Sequence, residues 1–228
     1  MKISEIVEQQ LIQSLMNQEF LPGEAFPTER QLAKQFDVGR STIREAIQRL
    51  EQQGWITCRR GHAPLVNDIW KTGNMSTLVH MMNTMEEADE QLVVHLLELR
   101  KVIAPTYTTD AILNFPHQVI EILNDRSATT FSTATSCAQY DWYFQKQLAI
   151  LHPNPLYLLL LNSFDTFYIP MASRYFEYEK HRTYTSNYYQ LLSQTLHAQN
   201  IQQACLLTQQ AMETSIQLWK QILKEESI

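Results

Sequence analysis

Apolar residues recur at helical spacing from the start of the chain. Ile3, Ile6, Val7, Leu11 and Leu15 form one stripe and predict a first helix over residues 3–19. Leu21-Pro22-Gly23 reads as a turn. Leu32, Ala33 and Phe36 give a second, shorter apolar edge, and Thr28 with Gln31 has the spacing of a capping box at its start. Asp37-Val38-Gly39 closes a tight turn, with Gly39 at the N-cap of the next helix. Ile43, Ala46, Ile47 and Leu50 then follow the i, i+3, i+4, i+7 pattern, predicting a helix from Arg40 to Gln53 that Gly54 ends as a C′ residue. Trp55 to Cys58 has strand character, Ala63 to Val66 can return as its partner, and Arg59-Arg60-Gly61-His62 falls at the hairpin tip. Residues 1–67 therefore read as a winged helix-turn-helix.

Beyond residue 75 the pattern changes to helical stripes with no convincing alternating strand. Helices are expected at Met75–Met85, Ala88–Ala111, His117–Asn124, Ala138–Leu151, Pro155–Tyr178, Tyr184–His197 and Ile201–Lys224. In the second of these, Leu92, His95, Leu96, Leu99, Ile103 and Tyr107 share a face, and Pro105 should kink it. Pro170 is expected as an interior kink of the fifth. All five glycines lie in the first 73 residues, as turns and a wing require, and none follows. The fold class is mainly α: an N-terminal winged helix-turn-helix over 1–67, a linker over 68–74 that Trp70 is placed to pin, and an all-α antiparallel bundle of about seven helices over 75–228.

Charge sharpens the first domain. The chain has a net charge of −6, so it is no basic nucleic-acid coat. Residues 40–60 nevertheless hold five arginines against two acidic residues. At roughly 100° per residue, Arg40, Ser41, Arg44 and Gln48 cluster on one face of the predicted third helix, away from its apolar stripe. Guanidinium groups suit guanine edges and phosphates, and small polar side chains suit backbone oxygens. Such a local patch points to site-specific binding of double-stranded DNA rather than to coating. The basic hairpin tip can reach a minor groove or its flanking phosphates.

The remaining chemistry is mostly negative. Cys58, Cys137 and Cys205 are widely spaced, which predicts reduced thiols in a cytoplasmic protein. The N-terminus has no apolar signal core, and no run reaches membrane-spanning length. The histidines are scattered, no phosphate loop or nucleophile motif is found, and neither enzyme activity, cofactor nor metal is expected. Fourteen aromatic residues fall between Tyr140 and Tyr189; most are expected to pack a core, and a few to line a pocket for an amphiphilic ligand.

The run PTERQLAKQF, followed by VGRSTIREAIQRLEQQGWI, resembles the DNA-binding domain of the GntR superfamily of bacterial transcription regulators. The segments NDIW at 67–70, Tyr140-Asp141 with Phe144, NPLY at 154–157 with Leu160-Leu161-Asn162, Arg174-Tyr175-Phe176 and Trp219 resemble the FadR subfamily, extending the likeness over nearly the whole chain. The resemblance implies a homodimer whose all-α domain binds long-chain acyl-CoA and thereby releases operator DNA, repressing fatty acid degradation genes and activating some synthesis genes. It also implies DNA contacts from Arg30, Arg40, Ser41, Thr42 and Arg44, with Arg60, Gly61 and His62 at the wing tip. Gly39 stands where the family often has a hydroxyl residue, which implies one phosphate contact fewer. Arg100, Ser215, Trp219 and Lys224 match positions near the acyl-CoA pocket. Ala211-Met212-Glu213-Thr214 departs from the family's Tyr-Gly-His-Glu run, and Met212 is expected to shorten or block the chain tunnel. Related regulators with a metal-dependent organic-acid site carry an Asp and three His; here Asp141 is present, but Gln145 and Gln190 stand at or near histidine positions.

The resulting expectation is a dimer reading a palindrome, with its recognition helices in major grooves and its wings in the minor groove. Two alternatives remain. One keeps DNA binding with a small organic acid as effector. The other makes the helical domain an enzyme or lipid carrier and the winged helix a protein-docking module. A regulator fused to an aminotransferase-type domain would need a longer chain.

Overall fold

A computed structural model of the chain describes residues 2–84, 90–125 and 131–226. The expected end of one helix at Met85 and start of the next at Ala88 lie outside the described residues. The chain divides into two compact units, Met1–Glu87 and Ala88–Ile228.

In the first unit, α1 (Ile3–Met16) lies across α3 (Arg40–Gln52), with α2 (Glu29–Gln35) against α3 as well. Thr28 caps α2 as its spacing predicts: the Gln31 backbone N–H donates to Thr28 Oγ1, and the Thr28 N–H donates to Gln31 Oε1 at 2.9 Å. Leu32, Ile43, Ala46, Ile47 and Leu50 are all buried between these helices. The stripe expected on α1 is rotated, however. Ile3 and Ile6 are exposed, while Ser4, Glu8 and Ile12 are buried beside Val7, Leu11 and Leu15. The physical reason is polar. Arg49 of α3 donates to Glu8 at 2.9 Å and Gln53 donates to Glu8 at 2.6 Å, so α1 turns its carboxylate inward. Gly54 has φ +82°, the left-handed conformation a C′ residue needs.

The wing pairs β1 (Ile56–Thr57) with β2 (Leu65–Val66), antiparallel, in the register Ile56↔Val66 and Thr57↔Leu65, with Ala25 bridging to the outer side of Leu65. Gly61 at the tip has φ +81°. Asn67 is locked to this unit: its N–H donates to Trp55 O and its side-chain amide to Gly54 O, both at 2.9 Å. The segment expected as a linker holds a short helix, α4 (Ile69–Thr72), and Trp70 on it is 70% exposed rather than pinned. Next, α5 (Met75–Thr84) packs on α1, and Thr77 donates to the carbonyl of Gln53. It belongs to the first compact unit, although the helical pattern assigns it to the bundle.

The second unit contains α6 (Glu90–Asn114), α7 (Pro116–Asn124), α8 (Ala134–Leu151), α9 (Leu156–Asn162), α10 (Tyr168–Phe176), α11 (Glu179–His197) and α12 (Ile201–Glu226). The expected single helix over 155–178 is two. Pro170 sits in the first turn of α10, where its missing N–H would have no intrahelical partner anyway, so it opens a helix instead of kinking one. By contrast, α6 runs through Pro105 as one assigned helix. The long helices α6 and α12 lie alongside each other, α10 packs on α8, and α11 bridges α12 and α7.

Candidate functional sites: a polar reading face and an apolar cavity

The first unit presents a polar face along α3. Arg40, Ser41, Arg44 and Gln48 are exposed, Thr42 is half-buried, and Arg30 is exposed at the start of α2. Arg60, Gly61 and His62 are exposed at the wing tip. Arg49, part of the same run of charge in the sequence, is turned back toward α1 by its pair with Glu8 and is lost to this face. Arg44 is not free either. Its Nε donates to Glu29 Oε1 at 3.0 Å and its Nη2 to Glu29 Oε2 at 2.9 Å. Those hydrogen bonds, and then the charges of Arg44 and Arg40, hold the Glu29 carboxyl below its ordinary range.

The second unit encloses an apolar cavity of about 120 Å³ among α6, α8, α10, α11 and α12. Helical spacing explains its walls. Leu96, Arg100, Ile103 and Tyr107 form one stripe of α6, while Ala211, Met212, Ser215 and Trp219 form one stripe of α12. Arg100, Ser215 and Trp219 therefore line one space, as the resemblance implies. Lys224 does not. It is exposed, and at roughly 100° per residue its nine-residue offset from Ser215 places it on the opposite side of α12. Aromatic rings from α6, α8, α10 and α11 form more of the wall than the few expected.

One wall is charged. Arg100 Nη2 donates to both oxygens of Asp141, at 2.9 and 3.1 Å. The Tyr168 hydroxyl also donates to Asp141, and that of Tyr189 does so at 2.5 Å. Trp142 stacks on Tyr168 with ring centroids 4.0 Å apart. Burial works against the Arg100 charge, but Asp141 outweighs it and holds the guanidinium firmly protonated. Burial first, and then the negative charge of Asp141, push both tyrosines well above the ordinary tyrosine range. Asp141 thus has three donors on its two oxygens. Among the described residues, three buried groups of the cavity lining, Arg100 Nε, Trp219 Nε1 and the Tyr175 hydroxyl, have no hydrogen-bond partner. Among the described residues, no group of three or more His, Cys, Asp or Glu could hold a metal ion.

From the sequence, Asp141 figures in the family resemblance beside Tyr140 and as one member of a metal set, and its pairing with Arg100, Tyr168 and Tyr189 is not foreseen. The signal was present as charge on otherwise apolar stripes: Arg100 among Leu96, Ile103 and Tyr107, and Asp141 between Tyr140 and Trp142. Glu29 was missed entirely.

A winged helix carrying an arginine-rich recognition face, followed by a helical unit around a cavity, defines a DNA-binding transcription regulator. Comparison with known proteins agrees. Residues 3–66 match the model for bacterial regulatory proteins of the gntR family. Residues 67–226 match the FadR C-terminal domain, and the chain belongs to the family of fatty acid metabolism regulators. It is 33% identical to the fatty acid metabolism regulator protein of Shewanella pealeana over 82% of this chain and 78% of that one. It is 31% identical to that of Shewanella sp. strain MR-7 over 94% and 89%. The solved structure of Lar, which controls the expression of the Listeria monocytogenes agr system, shares the fold, with a TM-score of 0.64 at 16% identity over 97% of this chain and 98% of that one. The family models divide the chain at 66/67, whereas the compact units divide at 87/88. The chain is a transcription regulator of fatty acid metabolism, not an enzyme. Among the described residues no helix is long and apolar enough to cross a membrane.

Proposed function

We propose that a long-chain acyl-CoA is the effector and that its binding releases a homodimer of this chain from a palindromic operator. The observation that carries this reading is the cavity: apolar and aromatic walls with buried donors that have no partner among the described residues, Arg100 Nε and Trp219 Nε1 among them, beside the Asp141 network. Apolar walls suit an alkyl chain, and buried donors suit the acceptor oxygen of a thioester carbonyl. Release requires the acyl-CoA to bind the DNA-incompetent conformation more tightly than the competent one. Arg30, Arg40, Ser41, Thr42 and Arg44 would contact DNA from the helices, with Arg60, Gly61 and His62 at the wing. Repression of degradation genes and activation of some synthesis genes complete the proposal.

Calorimetric titration of the full chain with oleoyl-CoA tests it, with carboxylates and added zinc as controls. Saturable heat from oleoyl-CoA, together with loss of a duplex–protein complex in a gel shift, is the expected result. Heat from a carboxylate and none from any acyl-CoA would replace this effector with an organic acid. Against that second reading stands Asp141, whose oxygens already accept from Arg100, Tyr168 and Tyr189.

A further inference from the structure

A carboxylate on a DNA-facing surface repels phosphates, so Glu29 calls for a reason. It sits in the first turn of α2, immediately after the capping residue Thr28, and Leu32 of the same helix is fully buried against α3. Its backbone is therefore fixed relative to the recognition helix. Its side chain meets Arg44 in a two-bond fork.

The geometry leaves Arg44 usable. A guanidinium has five N–H donors. Glu29 takes the Nε–H and one of the two on Nη2, the side edge of the plane. The other Nη2–H and both Nη1–H remain, including the end-on edge that pairs with guanine O6 and N7. A long exposed side chain ordinarily gives up its rotamer freedom when it binds, whereas one already held in a fork gives up less. The Arg44 side chain is 61% exposed, so without Glu29 little else restrains its tip.

We propose that Glu29 is a positioning residue for base readout: it holds the Arg44 guanidinium by its side edge and presents the end-on edge to one guanine in each half-site. This rests on the reading of Arg44 as a base contact. Glu29 itself makes no favourable contact with DNA. It exchanges some general affinity for preference at one base pair, because its charge weakens binding to every duplex while the fork sharpens one position.

The test is selection from a randomised duplex pool by the full-length wild-type protein and by the Glu29→Gln, Arg44→Ala and double variants. Affinities for selected and unselected duplexes are then measured. Glu29→Gln is expected to relax the preference for one guanine per half-site by roughly tenfold and leave the other positions intact. Its affinity for unselected duplex should stay the same or rise. In the Arg44→Ala background the same change should do nothing. Three results would overturn the proposal: an unchanged or sharper guanine preference in Glu29→Gln, a loss spread evenly over all positions with a lowered Tm, or an equal effect of Glu29→Gln without Arg44. Unaltered selection by Arg44→Ala would instead refute Arg44 as a base contact.

Discussion

The Asp141 network should reveal itself most clearly in stability. Asp141→Asn keeps the side-chain shape and removes the charge. Arg100 would then be a buried cation facing a neutral amide, whose NH2 meets one of three donors head-on. Breaking a buried ion pair by removing one partner costs about 3–5 kcal/mol. Arg100 keeps 21% of its side chain accessible, as befits a residue lining a cavity, so the lower end, about 3 kcal/mol, is the fair figure. In a domain of about 150 residues each 1 kcal/mol shifts Tm by roughly 2–4 °C, so the variant should melt about 6–12 °C below wild type. Scanning calorimetry on the full chain reads this, because the shift should fall on the transition of the helical unit. The double variant Asp141→Leu with Arg100→Met supplies the control. With both charges gone it removes the buried unpaired cation, but it also leaves two tyrosine hydroxyls without an acceptor, about 1–3 kcal/mol each, so it should melt no higher than Asp141→Asn unless those hydroxyls find other partners. A drop below 2 °C in Asp141→Asn would mean that the ion pair is effectively solvated and that the charged wall contributes little.

Other perturbations follow from single contacts. Gly54→Ala forces a side chain into φ +82° with Thr77 Oγ1 only 3.3 Å from the new Cβ, and should cost about 1–2 kcal/mol, read as a lowered Tm of the winged-helix unit. Thr28→Ala removes the cap of α2 and should cost about 1 kcal/mol in the same assay. Arg44→Ala should lose about 1–3 kcal/mol of binding to a selected duplex; unchanged affinity in a gel shift removes it from the contacts. Met212→Ala should enlarge the cavity and cost about 2–5 kcal/mol of stability, and acyl-CoA titrations should shift toward longer chains; an unchanged order of chain lengths would show that Met212 does not bound the site.

The winged helix was legible because its punctuation is local. A capping box, two glycines and one i, i+4 stripe define α2, α3 and the turn between them without reference to anything distant. The orientation of α1 was not, because Ile3 and Ile6 make a good apolar stripe on their own. It took Arg49 and Gln53, more than 40 residues away in sequence, to turn Glu8 and Ser4 inward. The break between α9 and α10 was hidden for a related reason. Phe164 and Phe167 are buried in the connection, so the hydrophobic pattern continues where the helix does not. In the cavity, Arg100, Ser215 and Trp219 followed from the family resemblance alone. The Asp141 network did not, since its four members come from four helices.

Arg44 and Arg49 project from the same helix, and each is gripped by a glutamate from a different neighbour, Glu29 of α2 and Glu8 of α1. The recognition helix is therefore not a portable module. Transplanting residues 40–52 onto another winged helix would carry the arginines without the two carboxylates that aim one and retire the other. A transplant meant to keep this chain's base preference must bring positions 8 and 29 with it.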